Sequence, residues 1–214
     1  MTVGKRMTHN PITVSPDTKV TEAMALLKKE HISRLPVLDK HNKLVGIVTE
    51  FDLTRACPAE GTCLDMWELN YLLSKLTVDK VMATKVITIT EDTTVEEAAR
   101  LMVDNGISGL PIMRGEMLVG IITESDLFRL FIELFGMRKK GIRATLLLPE
   151  KQGELADVAR AISDRGGNIV SFVTSLGDDP SHVLATLKVQ GIDKDCLISI
   201  VAPHVDEIVD VREM

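Results

Sequence analysis

Apolar residues recur at helical spacing in two stretches that echo each other. Val20, Ala23, Met24 and Leu27 fall at i, i+3, i+4 and i+7, and Val95, Ala98, Ala99 and Met102 repeat the stripe. Each marks a helix with one buried face. Behind each helix come two β-prone runs. In the first copy, Leu35–Leu38 and Leu44–Thr49 are joined across Asp39-Lys40-His41-Asn42, which has the residues of a hairpin turn. In the second copy this turn shortens to Arg114-Gly115-Glu116. A short β-prone segment precedes each helix, and a closing helix starts after Thr49 and after Thr123. The predicted order is β-α-β-β-α, twice.

The two copies match residue by residue. Thr13 returns as Thr88 and Asp17 as Asp92, a shift of 75 positions. Ile32-Ser33-Arg34-Leu35-Pro36-Val37 returns as Ile107-Ser108-Gly109-Leu110-Pro111-Ile112. Gly46-Ile47-Val48-Thr49-Glu50-Phe51-Asp52-Leu53 returns as Gly120-Ile121-Ile122-Thr123-Glu124-Ser125-Asp126-Leu127, now at a shift of 74. A unit duplicated in this way packs against its copy, with pseudo-twofold symmetry and two related clefts.

Between the copies, Met66, Leu69, Leu72, Leu73 and Leu76 mark a connecting helix, on which Trp67 and Tyr71 read as packing anchors. The helix after Glu124 carries Leu127, Phe128, Leu130, Phe131, Leu134 and Phe135, an apolar surface wide enough to need more than one partner. From Gly141 the pattern changes. Strands are predicted at Ile142–Leu148, Asn168–Leu176, Val183–Val189 and Glu207–Val211, and helices at Gly153–Arg165 and Asp193–Val201. This is β-α-β-β-α-β, the ferredoxin-like order. The expected fold is mixed α/β (α+β). Its divisions are residues 1–76 for the first repeat with the connecting helix, 77–138 for the second, and 141–214 for a third unit.

Of the 214 residues, 45% are hydrophobic and 26% charged, as in an ordinary globular protein. The net charge is -6 and the pI near 5.4, with basic residues scattered apart from Arg138-Lys139-Lys140. No basic stripe is present for a phosphate backbone. With five Phe, one Trp and one Tyr there is also little for bases to stack on, so no nucleic-acid partner is expected. The three cysteines, Cys57, Cys63 and Cys196, lack metal-type spacing and point to reduced thiols in a cytoplasmic protein, with packing rather than metal binding as the role of Cys57 and Cys63. Lys5 and Arg6 are not followed by an apolar run, so no signal peptide is expected, and no stretch approaches membrane-spanning length.

Thr49-Glu50-Phe51-Asp52 and Thr123-Glu124-Ser125-Asp126 each admit two physical readings. In one, each is a capping box, with the Thr hydroxyl accepting from the amide three residues on and the Asp reaching back to the Thr amide. In the other, the strand-to-helix junction presents free amides to a phosphate while the carboxylate accepts the hydroxyls of a ribose. Sequence physics leaves both open. The doubled pattern of Ile-Ser-x-Leu-Pro followed by Gly, two hydrophobic residues and Thr-x-x-Asp resembles a tandem CBS domain pair, over roughly residues 5–138. The resemblance implies an adenosine-type ligand, AMP, ADP, ATP or S-adenosylmethionine, in one or both clefts. It also implies that Thr49 with Asp52 and Thr123 with Asp126 hold phosphate and ribose. Ile12, Thr13, Val14 and Ile32 would frame the base in one site, and Ile87, Thr88, Ile89 and Ile107 in the other. Arg34 stands where the second copy has Gly109. A guanidinium suits phosphate oxygens, so unequal ligation is expected if Arg34 reaches a cleft; the alternative is that it points to water.

Pro149-Glu150-Lys151-Gln152-Gly153-Glu154-Leu155 and Gly166-Gly167-Asn168-Ile169 resemble an ACT domain. That resemblance implies an amino-acid or other small-metabolite site at a subunit interface lined by Gly153 and Asn168; the alternative is that both only shape turns. Glu150 and Gln152 stand where the family often has Asp and Pro. A CBS pair followed by an ACT domain resembles the acetoin-utilisation-type CBS-ACT proteins. The functional expectation is a regulatory sensor, a homodimer signalling to an unidentified protein partner, with no catalytic cofactor. The alternative is an assembly module without nucleotide. No nucleophile-base pair, metal constellation or Walker-type loop suggests an enzyme.

Overall fold

The computed structural model describes residues 1–56, 75–177 and 180–214. The predicted connecting helix from Met66 to Leu73, with Trp67 and Tyr71, and the pair Cys57 and Cys63, lie outside the described residues. The chain forms two compact units, Met1–Leu127 and Phe128–Met214.

In the first unit, the first repeat contains α1 (Val20–Glu30), β2 (Arg34–Leu38), β3 (Leu44–Thr49) and α2 (Glu50–Ala56). The second contains β4 (Ile89–Thr90), α3 (Val95–Asn105), β5 (Gly109–Arg114), β6 (Met117–Thr123) and the start of α4 (Glu124–Leu134). β2 and β3 pair antiparallel, as do β5 and β6. β4 runs parallel to β5, and the matching segment of the first repeat makes a single parallel bridge, Val14 to Val37. Val20, Ala23 and Leu27 of α1 are buried against Leu35, Val37 and Val48, as the helical stripe requires. The N-terminus of α3 is capped by Thr94, whose hydroxyl accepts from the Glu97 amide at 3.2 Å.

The segments that lead into the repeats are exchanged. The first strand, β1 (Thr8–His9), pairs with β6 of the second repeat, whereas Ala83 pairs with Ile47 of the first. The amides of Val3 and Gly4 donate to Thr93 and Glu91, while those of Val78 and Asp79 donate to Thr18 and Pro16. Val3 and Val78 are both fully buried, Val78 in the core of the first repeat. Each copy is completed by the chain that precedes the other.

In the second unit, β7 (Ile142–Pro149), α5 (Glu154–Asp164), β8 (Asn168–Leu176), β9 (His182–Gln190), α6 (Lys194–Val201) and β10 (Glu207–Glu213) form an antiparallel sheet in the order β10-β7-β9-β8 with two helices. Ile142, Ala144, Leu146 and Leu148 alternate into a core with Val158, Ile162 and Leu197. Asp193 lies just outside α6 as its cap, its Oδ1 accepting from the Cys196 amide at 2.7 Å. No helix among the described residues is long and apolar enough to cross a membrane.

Candidate functional site

The junction of β3 and α2 is shaped by three bonds between two residues. The Thr49 amide and hydroxyl both donate to Asp52 Oδ2, at 2.9 and 2.6 Å, and the Asp52 amide donates to Thr49 Oγ1 at 3.2 Å. At the β6–α4 junction the Thr123 amide and hydroxyl donate to Asp126 Oδ2 at 2.9 and 2.8 Å. Both halves of the capping box are thus present at Thr49–Asp52, and at Thr123–Asp126 the carboxylate reaches back to the Thr123 amide. Capping does not consume the first carboxylate, because Asp52 Oδ1 takes no hydrogen bond from the described residues.

Thr49 and Asp52 open onto a cavity of about 560 Å³. Ile87, from the segment entering the second repeat, and Ile107 and Ser108, following α3, line the same space. The cleft is thus built from both repeats. Arg34 lines it as well, and its Nη2 donates to Ser108 Oγ at 2.6 Å. Burial lowers the Arg34 pKa, opposed by the carboxylates of Glu124 and Asp126. Lys85 adds a second cation to the lining, and Phe51, 71% exposed, an aromatic ring.

The other expected residues fall elsewhere. Thr88 and Ile89 line a separate cavity of about 410 Å³, with Lys43 and Glu116 at its edge. Val14 and Ile89 are 8% and 7% exposed and serve the cores, so their side chains do not frame a base in the cavity of Thr49 and Asp52. The strand pleat explains this: Val14 pairs with Val37 and Ile89 with Ile112, both fully buried. Ile32 packs against the first core, and neither it nor Ile12, Thr13, Thr123 or Asp126 lines the Thr49 cleft. Lys85 was missed because its counterpart is Asn10; the sign lay in that break of the repeat, not in the repeat.

Gly153 and Asn168 are not brought together within the chain. Gly153 precedes α5 and Asn168 follows it, so the helix, about 16 Å long, separates them. Gly153 has φ +100°, and a Cβ there would meet nothing within 4 Å. Backbone conformation, not close approach, requires the glycine. Among the described residues, no group of three or more His, Cys, Asp or Glu side chains is placed to hold a metal.

A hydroxyl and a carboxylate at a strand-to-helix turn, an aliphatic slot and two cations make a cleft suited to a sugar, a flat apolar base and anionic oxygens. The CBS domain profile matches residues 3–59 and 78–133. The chain belongs to the CBS domain family. Its CBS pair is similar to that of protein MJ0100, solved in complex with 5′-methylthioadenosine and S-adenosyl-L-methionine: 33% identity, TM-score 0.52, 65% of this chain and 98% of the other covered. CBSX2, a chloroplastic Arabidopsis thaliana protein solved in complex with AMP, is 31% identical with TM-score 0.51, over 64% of this chain and 98% of that one. A Vibrio cholerae protein assigned to acetoin utilization, AcuB, is 29% identical with TM-score 0.54, over 64% and 95%. The L-aspartate semialdehyde sulfurtransferase of Methanocaldococcus jannaschii is 35% identical over 122 residues, which are 56% of this chain and 21% of that enzyme. The chain thus spans about a fifth of that relative.

Proposed function

We infer that this protein is a regulatory sensor that binds an adenine nucleotide or adenosyl compound (AMP, ADP, ATP or S-adenosylmethionine) in its CBS pair and passes the binding state to a metabolic partner. The observation that carries the reading is the cavity where Thr49 and Asp52 of one repeat meet Ile87 and Ile107 of the other. In it, Asp52 Oδ1 accepts the ribose hydroxyls, Ile87 and Ile107 hold the base, and Arg34 with Lys85 takes the phosphates. Thr123 and Asp126, with Ile12, Thr13 and Ile32, form the second place. Two neighbours solved with adenosyl compounds, AMP in one and 5′-methylthioadenosine with S-adenosyl-L-methionine in the other, support the ligand class. The second unit is read as an ACT domain, in a cytoplasmic homodimer of the acetoin-utilisation type, with a small metabolite at its subunit interface. The β-α-β-β-α-β order of the second unit, with strand order β10-β7-β9-β8, supports the ACT reading. The similarity of the CBS pair to AcuB supports the acetoin-utilisation type, and the exposed Phe128, Phe131 and Leu134 of α4, 67%, 50% and 56% exposed, support the dimer.

Thermal unfolding with each adenine compound tests the reading. A ligand at a hundred times its Kd stabilises by about 2.7 kcal/mol. If no adenine compound moves the transition at millimolar concentration, the sensor reading fails. The second reading, an assembly module, then stands on the completed Thr49–Asp52 cap alone, and a dimer in sedimentation experiments would support it.

A further inference from the structure

The second unit holds a cation that its own architecture does not explain. Lys188 of β9 is 2% exposed. Its Nζ donates to the Gly136 carbonyl at 3.1 Å, and no carboxylate among the described residues pairs with it. Directly opposite, on β7, stands Arg143, in register with Lys188. Like charges facing each other across an antiparallel pair are destabilising, and a buried ammonium without a counter-charge costs more still. Arg143 Nη1 is held by Asp210 Oδ2 at 3.0 Å, so that carboxylate serves Arg143 and not Lys188.

These side chains line a cavity of about 190 Å³. Ser171, in register with Lys188 on β8, and Thr186 add hydroxyls; Phe131 and Phe135, with ring centroids 4.3 Å apart, add an apolar wall. The face is the one turned from the core, since Ala185, Leu187 and Val189 alternate with Thr186 and Lys188. The Gly136 carbonyl lies just beyond the end of α4, so the helix dipole offsets part of the Lys188 charge. A helix staple alone would not call for a second cation opposite.

We propose that this cavity binds a short aliphatic carboxylate. The carboxylate meets Lys188, with Ser171 and Thr186 as further donors, and the alkyl chain lies against Phe131 and Phe135. A space of about 190 Å³ has room for a chain of a few carbons. A free amino acid is disfavoured because its ammonium would sit beside two cations. Inorganic phosphate shares the anion chemistry but leaves the phenylalanine wall unused. The proposal is independent of the nucleotide cleft and of the interface site at Gly153 and Asn168.

Calorimetric titration of the full chain with butyrate, inorganic phosphate and glycine tests it. Butyrate is expected to bind about tenfold or more tightly than either of the others, and Lys188→Met and Thr186→Val are each expected to weaken it by a similar factor. Lack of butyrate binding by the folded wild-type chain overturns the site, as does unchanged affinity in Lys188→Met. Phosphate binding as tight as butyrate overturns the carboxylate assignment. If Lys188→Met does not fold, Thr186→Val decides alone, since it removes only a hydroxyl whose contact with Thr145 Oγ1 is 3.4 Å long.

Discussion

Arg34 and Ser108 join the two repeats side chain to side chain, the guanidinium Nη2 donating to the serine hydroxyl at 2.6 Å across 74 positions of sequence. Ser108 is the repeat counterpart of Ser33, and Gly109 is the counterpart of Arg34 itself. A Cβ built on Gly109 would come within 2.7 Å of Arg34 Nη1 and 2.9 Å of its Cδ. The space beside Gly109 therefore admits one arginine, not two. Its charge lies under the influence of Glu124 and Asp126, so the junctions of the two repeats are electrostatically unequal although their sequences match.

This inequality has a measurable consequence. Arg34→Ala should weaken ATP and AMP by about tenfold while leaving an uncharged adenosine analogue nearly unchanged. Gly109→Ala should reproduce the effect by displacing the guanidinium, and should add nothing in the Arg34→Ala background. Calorimetric titration of the three variants measures the cycle; equal loss for charged and uncharged ligands would remove Arg34 from phosphate recognition.

Asp52 does two jobs, and one substitution separates them. Asp52→Asn weakens the cap, so unfolding should shift by about 1 kcal/mol, or roughly 2–4 °C in a chain of this size. If Oδ1 also takes the ribose, affinity should fall by about tenfold or more. Asp126→Asn should repeat the stability loss with a smaller effect on affinity. Tm measured without ligand, set beside Kd measured well below Tm, keeps the two apart; unchanged affinity for Asp52→Asn would leave capping as its sole role.

Much of this organisation was legible in the residues because duplication doubles every signal. The apolar stripes on α1 and α3, the hairpins and the two Thr-x-x-Asp turns each occur twice, and each falls where the pattern predicts. Thr49, Asp52, Ile87 and Ile107 do meet in one cavity. The exchange of leading segments was not legible. Thr8 pairs with Ile121 at a sequence distance that no local pattern reports. The burial of Val14 and Ile89 was not legible either, because a segment that pairs over one or two residues is too short to display its alternation. Lys188 escaped notice for a different reason: burial of a lysine contradicts its composition-based expectation.

The exchange rests on two glycines. Met82 and Ala83 run across Gly46 of the first repeat, and Met7 and Thr8 across Gly120 of the second. A Cβ on Gly46 would meet the Met82 sulfur and approach the Ala83 carbonyl oxygen to 3.1 Å; one on Gly120 would meet the Met7 sulfur and approach that of Thr8 to 3.1 Å. Methionine tips yield readily, but paired backbone does not. Gly46→Ala and Gly120→Ala should each cost about 1–3 kcal/mol in urea unfolding. Either variant matching the wild type would mean that the exchanged segment does not lie across that glycine.

Acid should lower the stability of the protein from a definable pH. The Arg114 fork holds Glu91, its Nε and Nη2 donating to Oε2 and Oε1 at 2.7 and 2.8 Å, and this keeps the Glu91 carboxyl below its ordinary value of 4.5. Hydrogen bonds from Arg100 to Glu97, and from the backbone amides of Lys43 and His41 to Asp39, lower those carboxyls too. A carboxyl whose pKa is lower in the folded chain binds fewer protons there than when unfolded. Its contribution is complete above the ordinary value and disappears as pH falls through the folded one. Stability should thus hold level down to about pH 5 and decline below 4.5. Arg114→Ala should lose stability at neutral pH and converge on the wild type as Glu91 is protonated in both. Urea titrations at stepped pH measure the gap, and a gap that stays constant into acid would take the Glu91–Arg114 pair out of the account.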